Sequence, residues 1–207
     1  MIRVALTGGI ASGKSSAAAC FANHGIPSAS SDRFARDVVA PGSEGLTAVT
    51  AAFGPSVLQL DGGLDRGALR TRIFADDTAR ERLEALLHPR IRAATEAWCV
   101  AQRAAGAGVV LIEIPLLVET AQHTRYDHVV VVDVDTATQV ARVLQRDGGS
   151  EDEARQIIAK QASRGARLDA ATDVLLNDQT LDTLRRDAGA LAARFASLYP
   201  GSPSAPA

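Results

Sequence analysis

The segment Gly8-Gly-Ile-Ala-Ser-Gly13-Lys14-Ser15 constrains this chain more than any other. It reads as a glycine, four residues and then Gly-Lys-Ser, with the apolar run Ile2 to Thr7 before it and an alanine-rich stretch free of breakers up to Gly25 after it. That order predicts a strand, a glycine loop and a helix from Lys14 to Asn23. Glycines let a backbone approach a phosphate chain, successive N–H groups can turn inward, and the helix start adds its positive end. Lys14 is not background composition, because the only lysines are Lys14 and Lys160. By average residue usage a random chain of this length matches the pattern about once in a hundred or less. The loop therefore implies a bound nucleoside triphosphate, with Lys14 bridging its outer phosphates and the Ser15 hydroxyl on Mg²⁺.

Two further apolar runs, Val109 to Ile114 and Val129 to Val134, lack the alternation of half-exposed strands, and Asp173 to Asn177 is a third. Buried parallel strands have this texture. With a second strand expected around Ile26 to Ser30 and helical stretches between, the fold class is α/β: a P-loop NTPase/kinase core of about five parallel strands with helices on both faces. Between Asp32 and Gly108 the pattern becomes helical, punctuated by turns at Pro41-Gly42, Gly54-Pro55, Gly62-Gly63 and Pro89. The expected layout is a core over residues 1–31 and 109–199, a helical lobe over 32–108 and a disordered tail over 200–207. A small lid is expected over about residues 147–167, its helix opened by a capping box from Ser150 to Glu153.

A net charge of −2 and a pI near 6.1 offer no general attraction to nucleic acid or anionic membranes. Cys20 and Cys99 lack metal-ligand spacing and read as buried, reduced thiols. No run reaches the roughly 20 apolar residues of a membrane span. A soluble cytoplasmic protein without nucleic-acid or membrane partners is expected.

Loops of this kind serve kinases, GTPase switches and ATP-driven machines. A switch needs Asn-Lys-x-Asp to read its base, yet neither lysine follows an asparagine, and no aspartate has glycine three residues later. An ATPase carries an acidic residue ending a second strand, a description open to Glu113 or Asp133. The short chain and the arginine-rich stretch from Asp147 to Arg167 favour a kinase. A kinase also needs a group to orient or deprotonate its acceptor, and Asp32, just past the second strand, lies where ligands bind in such sheets. Its structural alternative is an N-cap for a helix starting near Arg33.

The residues Leu6 to Ser15, Ser31-Asp-Arg-Phe-Ala-Arg36 and Pro41-Gly42 together resemble the dephospho-coenzyme A kinase family. His88-Pro89, Ile91-Arg92, Ile114-Pro-Leu-Leu-Val-Glu119, Gln161-Ala-Ser-Arg164 and Ala166-Arg-Leu168 resemble its later blocks, so the likeness runs from about Met1 to Asp178. It implies transfer of phosphate from ATP, with Mg²⁺, to the ribose 3′-hydroxyl of dephospho-coenzyme A, the acceptor being held by the helical lobe. By position, Ala11, Ser12, Gly13, Lys14, Ser15 and Ser16 would line the ATP phosphates behind Gly8 and Gly9. Asp32 would act on the hydroxyl, and Arg142 would contact phosphate or nucleotide. Arg146, Arg164 and Arg167 are further candidates whose alternative is a solvated face paired with Glu or Asp, and His88, a candidate for the acceptor pocket, is read rather as a packing or capping residue at a helix boundary.

Two positions depart from the family pattern. Ala11 replaces a glycine, a mild change if its backbone angles are ordinary, and Ser30 stands where a second aspartate is usual, a loss that Glu113 could partly offset. A Glu113→Gln variant with unchanged activity and Mg²⁺ dependence excludes that compensation. The runner-up is an adenylate-kinase-like enzyme acting on another nucleotide or small alcohol; a nucleotide-binding regulatory module is the reading from a different class. Asp32→Asn should cut turnover by roughly a hundredfold or more while ATP binding, measured by calorimetry, stays near normal.

Overall fold

The run that precedes the glycine loop has no polar alternation, and in the computed structural model it becomes the middle strand of a sheet. This is β1 (Ile2–Gly8), in which Val4, Ala5 and Leu6 are fully buried. The structure describes residues 1–201, apart from the side chain of Ala75. After β1 come α1 (Lys14–Asn23) and a short strand, β2 (Ser28–Ser30). Four helices follow: α2 (Ser31–Asp37), α3 (Glu44–Phe53), α4 (Arg66–Ala75) and the 28-residue α5 (Asp77–Ala104). The chain then forms β3 (Val109–Glu113), β4 (His128–Asp133), α6 (Thr136–Asp147), α7 (Glu151–Ala159), α8 (Arg164–Asp169), β5 (Asp173–Leu176) and α9 (Leu181–Leu198).

Every pairing within the sheet is parallel, in the order β2-β3-β1-β4-β5. The direction of sheet growth reverses around β1, which places its carboxyl end at the crevice where such sheets bind ligands. Val4, Leu6, Leu111, Val130 and Val132 share one face with Ala17 and Phe21 of α1 and with Leu184, Ala188 and Phe195 of α9. The alternate residues Ala5, Val110, Ile112, Val129 and Val131 are also buried, so both faces are covered as the uninterrupted apolar runs require.

Two compact units emerge, one of Met1–Ser30 with Gln102 onward and the other Ser31–Ala101. The second has its own core of Val39, Val49, Phe53, Val57, Leu69 and Leu83. Two of its helices, α3 and α4, open on side-chain caps: Ser43 Oγ accepts from Leu46 N at 3.1 Å, and Asp65 Oδ1 accepts from Ala68 N at 2.9 Å.

Several expectations are corrected. Pro89 does not end a segment but lies inside α5, and His88 is an exposed mid-helix residue rather than a boundary one. A proline ring deprives the carbonyl four residues earlier of its donor. That residue, Ala85, is exposed, as is Pro89, so water can replace the missing bond. The second strand begins at Ser28 rather than Ile26, since Pro27 has no N–H to pair, although its carbonyl accepts from Leu111 N at 2.9 Å. Cys20 is half-buried rather than buried, while Cys99 is buried; neither is in a disulfide. No described helix is long and apolar enough to cross a membrane. The expected tail lies, beyond Gly201, outside the described residues. Replacing Pro89 with alanine should stabilise the helical unit by roughly 1–3 kcal/mol, read as a raised denaturation midpoint.

Candidate active site

The chain leaves β1 at Gly8 and enters α1 at Lys14, and the turn between them is packed too tightly for side chains at its glycines. A Cβ on Gly9 would lie 2.1 Å from Gln139 Nε2, and one on Gly13 would lie 2.5 Å from Asn177 Nδ2. Gly13 also takes φ +98° as the residue that precedes α1, whose first turn is capped by no described side chain. The positive end of α1 therefore faces the loop. Ser12 Oγ is buried with no hydrogen-bond partner among the described residues. A phosphate oxygen is the kind of acceptor such a hydroxyl lacks.

The carbonyls of the loop are accounted for one by one. Lys14 Nζ donates to Gly8 O at 2.9 Å and to Gly9 O at 3.0 Å. Gln139 Nε2 donates to Ile10 O at 2.8 Å, Arg142 Nη1 to Ala11 O at 3.4 Å, and Asn177 Nδ2 to Ser12 O at 2.7 Å. Gly13 O accepts from Ser16 N and Ala17 N within α1. Two N–H groups of the loop are already engaged: that of Ile10 donates to Gln161 Oε1 at 2.9 Å, and that of Ser12 to Gly9 O at 3.2 Å. Ser15 is exposed in the first helical turn and Ser16 is half-buried.

Ala11 does not have ordinary angles: its φ is +57°. A residue with a Cβ costs about 1–2 kcal/mol in this left-handed region, which explains why glycine suits the position.

The arginines separate clearly. Arg142, on α6, lies against the loop and also donates from Nη2 to Asn177 O at 3.0 Å. Arg167 is buried, donates to Ala162 O at 2.5 Å, and has Nη2 close enough to Gly9 that a Cβ there would sit 3.1 Å away. Burial pushes its guanidinium below the ordinary arginine range. Arg164 forks onto the buried Asp133 carboxylate at 2.6–3.0 Å, and that carboxylate holds its guanidinium above the ordinary range. Asp133 is thus engaged by an arginine. Arg146 pairs with its exposed neighbour Asp147 at 2.7 Å, as a solvated face would. The capping box opens α7: Ser150 Oγ accepts from Glu153 N, and Ser150 N donates to Glu153 Oε2 at 2.8 Å.

Ser30, half-buried at the end of β2, lies in register with Glu113, which itself pairs with Leu6 of β1. A carboxylate therefore stands one strand over from the position that lacks one, on the α1 side of the sheet. Asp32 falls in the helical unit, exposed in the first turn of α2 rather than capping it, where an acidic residue complements the helix dipole. The structure thus brings Gly8 to Ser16, Arg142 and Arg167 together in one unit with two residues that motif reading passed over, Gln139 and Asn177. The available signal for Asn177 was an amide closing an apolar run, and for Gln139 an amide one turn into a helix.

A glycine loop built this way at the carboxyl end of a central parallel strand, against the open end of a helix, is the core of a P-loop kinase. A family model described as dephospho-CoA kinase matches residues 2–183. Dephospho-CoA kinase of Xanthomonas campestris is 47% identical over 195 residues, 93% of this chain and 92% of that protein. The one from Burkholderia lata is 44% identical over 197 residues, 94% and 96% of the two chains. The solved structure of TT1252 from Thermus thermophilus superposes with a TM-score of 0.77 at 30% identity, covering 93% of this chain and 97% of that one. The chain belongs to the dephospho-CoA kinase family.

The positive φ at residue 11 has a measurable consequence. Ala11→Gly should stabilise the core unit by roughly 0.5–1 kcal/mol in urea denaturation, the left-handed cost removed outweighing the entropy added to the unfolded chain.

Proposed function

We infer that the chain uses ATP to phosphorylate the ribose 3′-hydroxyl of dephospho-coenzyme A, the last step of coenzyme A synthesis. The observation that carries the nucleotide half of this reading is the loop itself, in which every carbonyl from Gly8 to Gly13 has a donor and Ser12 Oγ has no partner among the described residues. The acceptor half is supported by the family to which the chain belongs.

The acceptor oxygen bonds to the γ-phosphorus as the bond to the oxygen of departing ADP breaks, and the hydroxyl proton passes to the Asp32 carboxylate. Phosphoryl transfer is catalysed mainly by positioning and by stabilising charge on the transferred group. Loop N–H groups and the Lys14 ammonium hold the outer phosphates, and Ser12 Oγ adds a donor from beneath. Among the described residues no group of three His, Cys, Asp or Glu side chains could hold a metal alone. Mg²⁺ is commonly bound by few protein ligands together with substrate phosphates. The Ser15 hydroxyl would be its protein ligand, and the ion would neutralise charge on the β- and γ-oxygens. Arg142 and Arg167, beside the loop, are always charged and can fork onto phosphate oxygens. The desolvation that pushes the Arg167 guanidinium down would be offset by the charge of a phosphate beside it. The 147–167 stretch serves as the lid, and the helical unit Ser31–Ala101 holds the acceptor.

Purified protein with ATP and Mg²⁺ should release ADP with dephospho-coenzyme A and form coenzyme A by mass. ADP release only with nucleoside monophosphates or shikimate overturns the acceptor. Lys14→Ala should abolish measurable transfer and weaken ATP binding while leaving the circular dichroism spectrum unchanged, because helix and strand content rests on the paired sheet and its apolar core rather than on the two loop carbonyls that Lys14 engages.

A further inference from the structure

A peptide chain that wraps an anion must aim N–H groups at it, and each peptide unit that does so aims its carbonyl outward into the protein. An outward carbonyl buried without a donor is costly, so the direction of the N–H groups depends on what waits behind the loop. Behind this one stand two carboxamides, both almost wholly buried: Gln139 is 2% exposed and Asn177 is 4% exposed. Gln139 Nε2 takes the Ile10 carbonyl at 2.8 Å and Asn177 Nδ2 takes the Ser12 carbonyl at 2.7 Å.

Both amides are themselves fixed. Asn177 donates its own N–H to Asp133 O at 2.8 Å, which extends the β4–β5 ladder by one bond, and its carbonyl accepts from Arg142 Nη2 at 3.0 Å. Gln139 N donates to Asp135 O at 3.0 Å in the first turn of α6, whose cap is Asp135. The two carboxamides also press against Gly9 and Gly13, the positions at which a Cβ would collide with them. They therefore set both the orientation of the loop's peptides and its closeness to the sheet.

We propose that Gln139 and Asn177 are positioning residues for phosphoryl transfer: they pull the Ile10 and Ser12 carbonyls back so that the following N–H groups face the triphosphate. The proposal rests on the nucleotide half of the function given above and is independent of the acceptor. Neither side chain touches the reacting atoms. Their effect passes through the loop, so it belongs to a ligand whose phosphates the loop holds and not to the acceptor, which binds elsewhere.

The test replaces each amide by a neutral side chain of similar size, Gln139→Met and Asn177→Leu, which removes the donor without adding charge. Binding of ATP, inorganic tripolyphosphate and dephospho-coenzyme A is measured by calorimetry. Each variant is expected to bind ATP and tripolyphosphate about tenfold more weakly, the scale of one buried hydrogen bond lost, with dephospho-coenzyme A affinity within about twofold of wild type. In turnover the KM for ATP should rise while the KM for the acceptor holds. Equal losses for all three ligands, or unchanged tripolyphosphate binding in both variants, overturn the proposal. Should a bulky replacement fail to fold, Gln139→Ser and Asn177→Ser carry the same comparison. A wild-type protein that binds tripolyphosphate but does not phosphorylate dephospho-coenzyme A would sink the acceptor and leave this inference standing. A wild-type protein that binds no tripolyphosphate overturns both.

Discussion

A backbone can act as a cation only where its carbonyls have somewhere else to go. In this chain six consecutive carbonyls, Gly8 to Gly13, find donors in Lys14, Gln139, Arg142, Asn177 and the α1 backbone. Three of those side chains come from α6 and from the end of β5, more than a hundred residues further along the sequence. The loop cannot hold its shape until the sheet has paired and α6 has docked. Fold and site are therefore a single problem: the buried apolar runs that build the sheet also deliver the amides that shape the turn.

Much of this was legible in the residues because local signals agreed. The apolar run, the glycines and the alanine-rich helix each point to the same succession, and α1 occupies Lys14–Asn23 as the pattern requires. The third and fourth strands lie within one residue of the apolar runs that announced them. The capping box at Ser150 is likewise a local device, complete within four residues. Pro89 misled because proline speaks only of the backbone donor it removes. Whether a helix survives depends on whether water reaches the orphaned carbonyl, and that is decided by the exposure of Ala85.

The amides of Gln139 and Asn177 were opaque for a related reason. A carboxamide in a sequence carries no sign of what it will face, and only the packing reveals that each meets a carbonyl of the loop. The arginines were similarly unranked by spacing, yet the fold gives each a different partner: the loop for Arg142, a buried carboxylate for Arg164, and a neighbouring surface aspartate for Arg146. Ser30 shows the converse. Alone it reads as a lost charge, but register with Glu113 shows that the strand edge still carries a carboxylate.

The helical unit enters the chain between β2 and β3, two strands that are neighbours in the sheet. A parallel pair already requires a crossover, for which a single helix suffices. Here that connection has grown into a unit with its own apolar centre, while the pairing of the strands on either side stays intact. The crossover is thus the point at which extra chain can be added or exchanged without altering any ladder. A lineage built on this sheet can rewrite that whole unit as one continuous stretch of its gene.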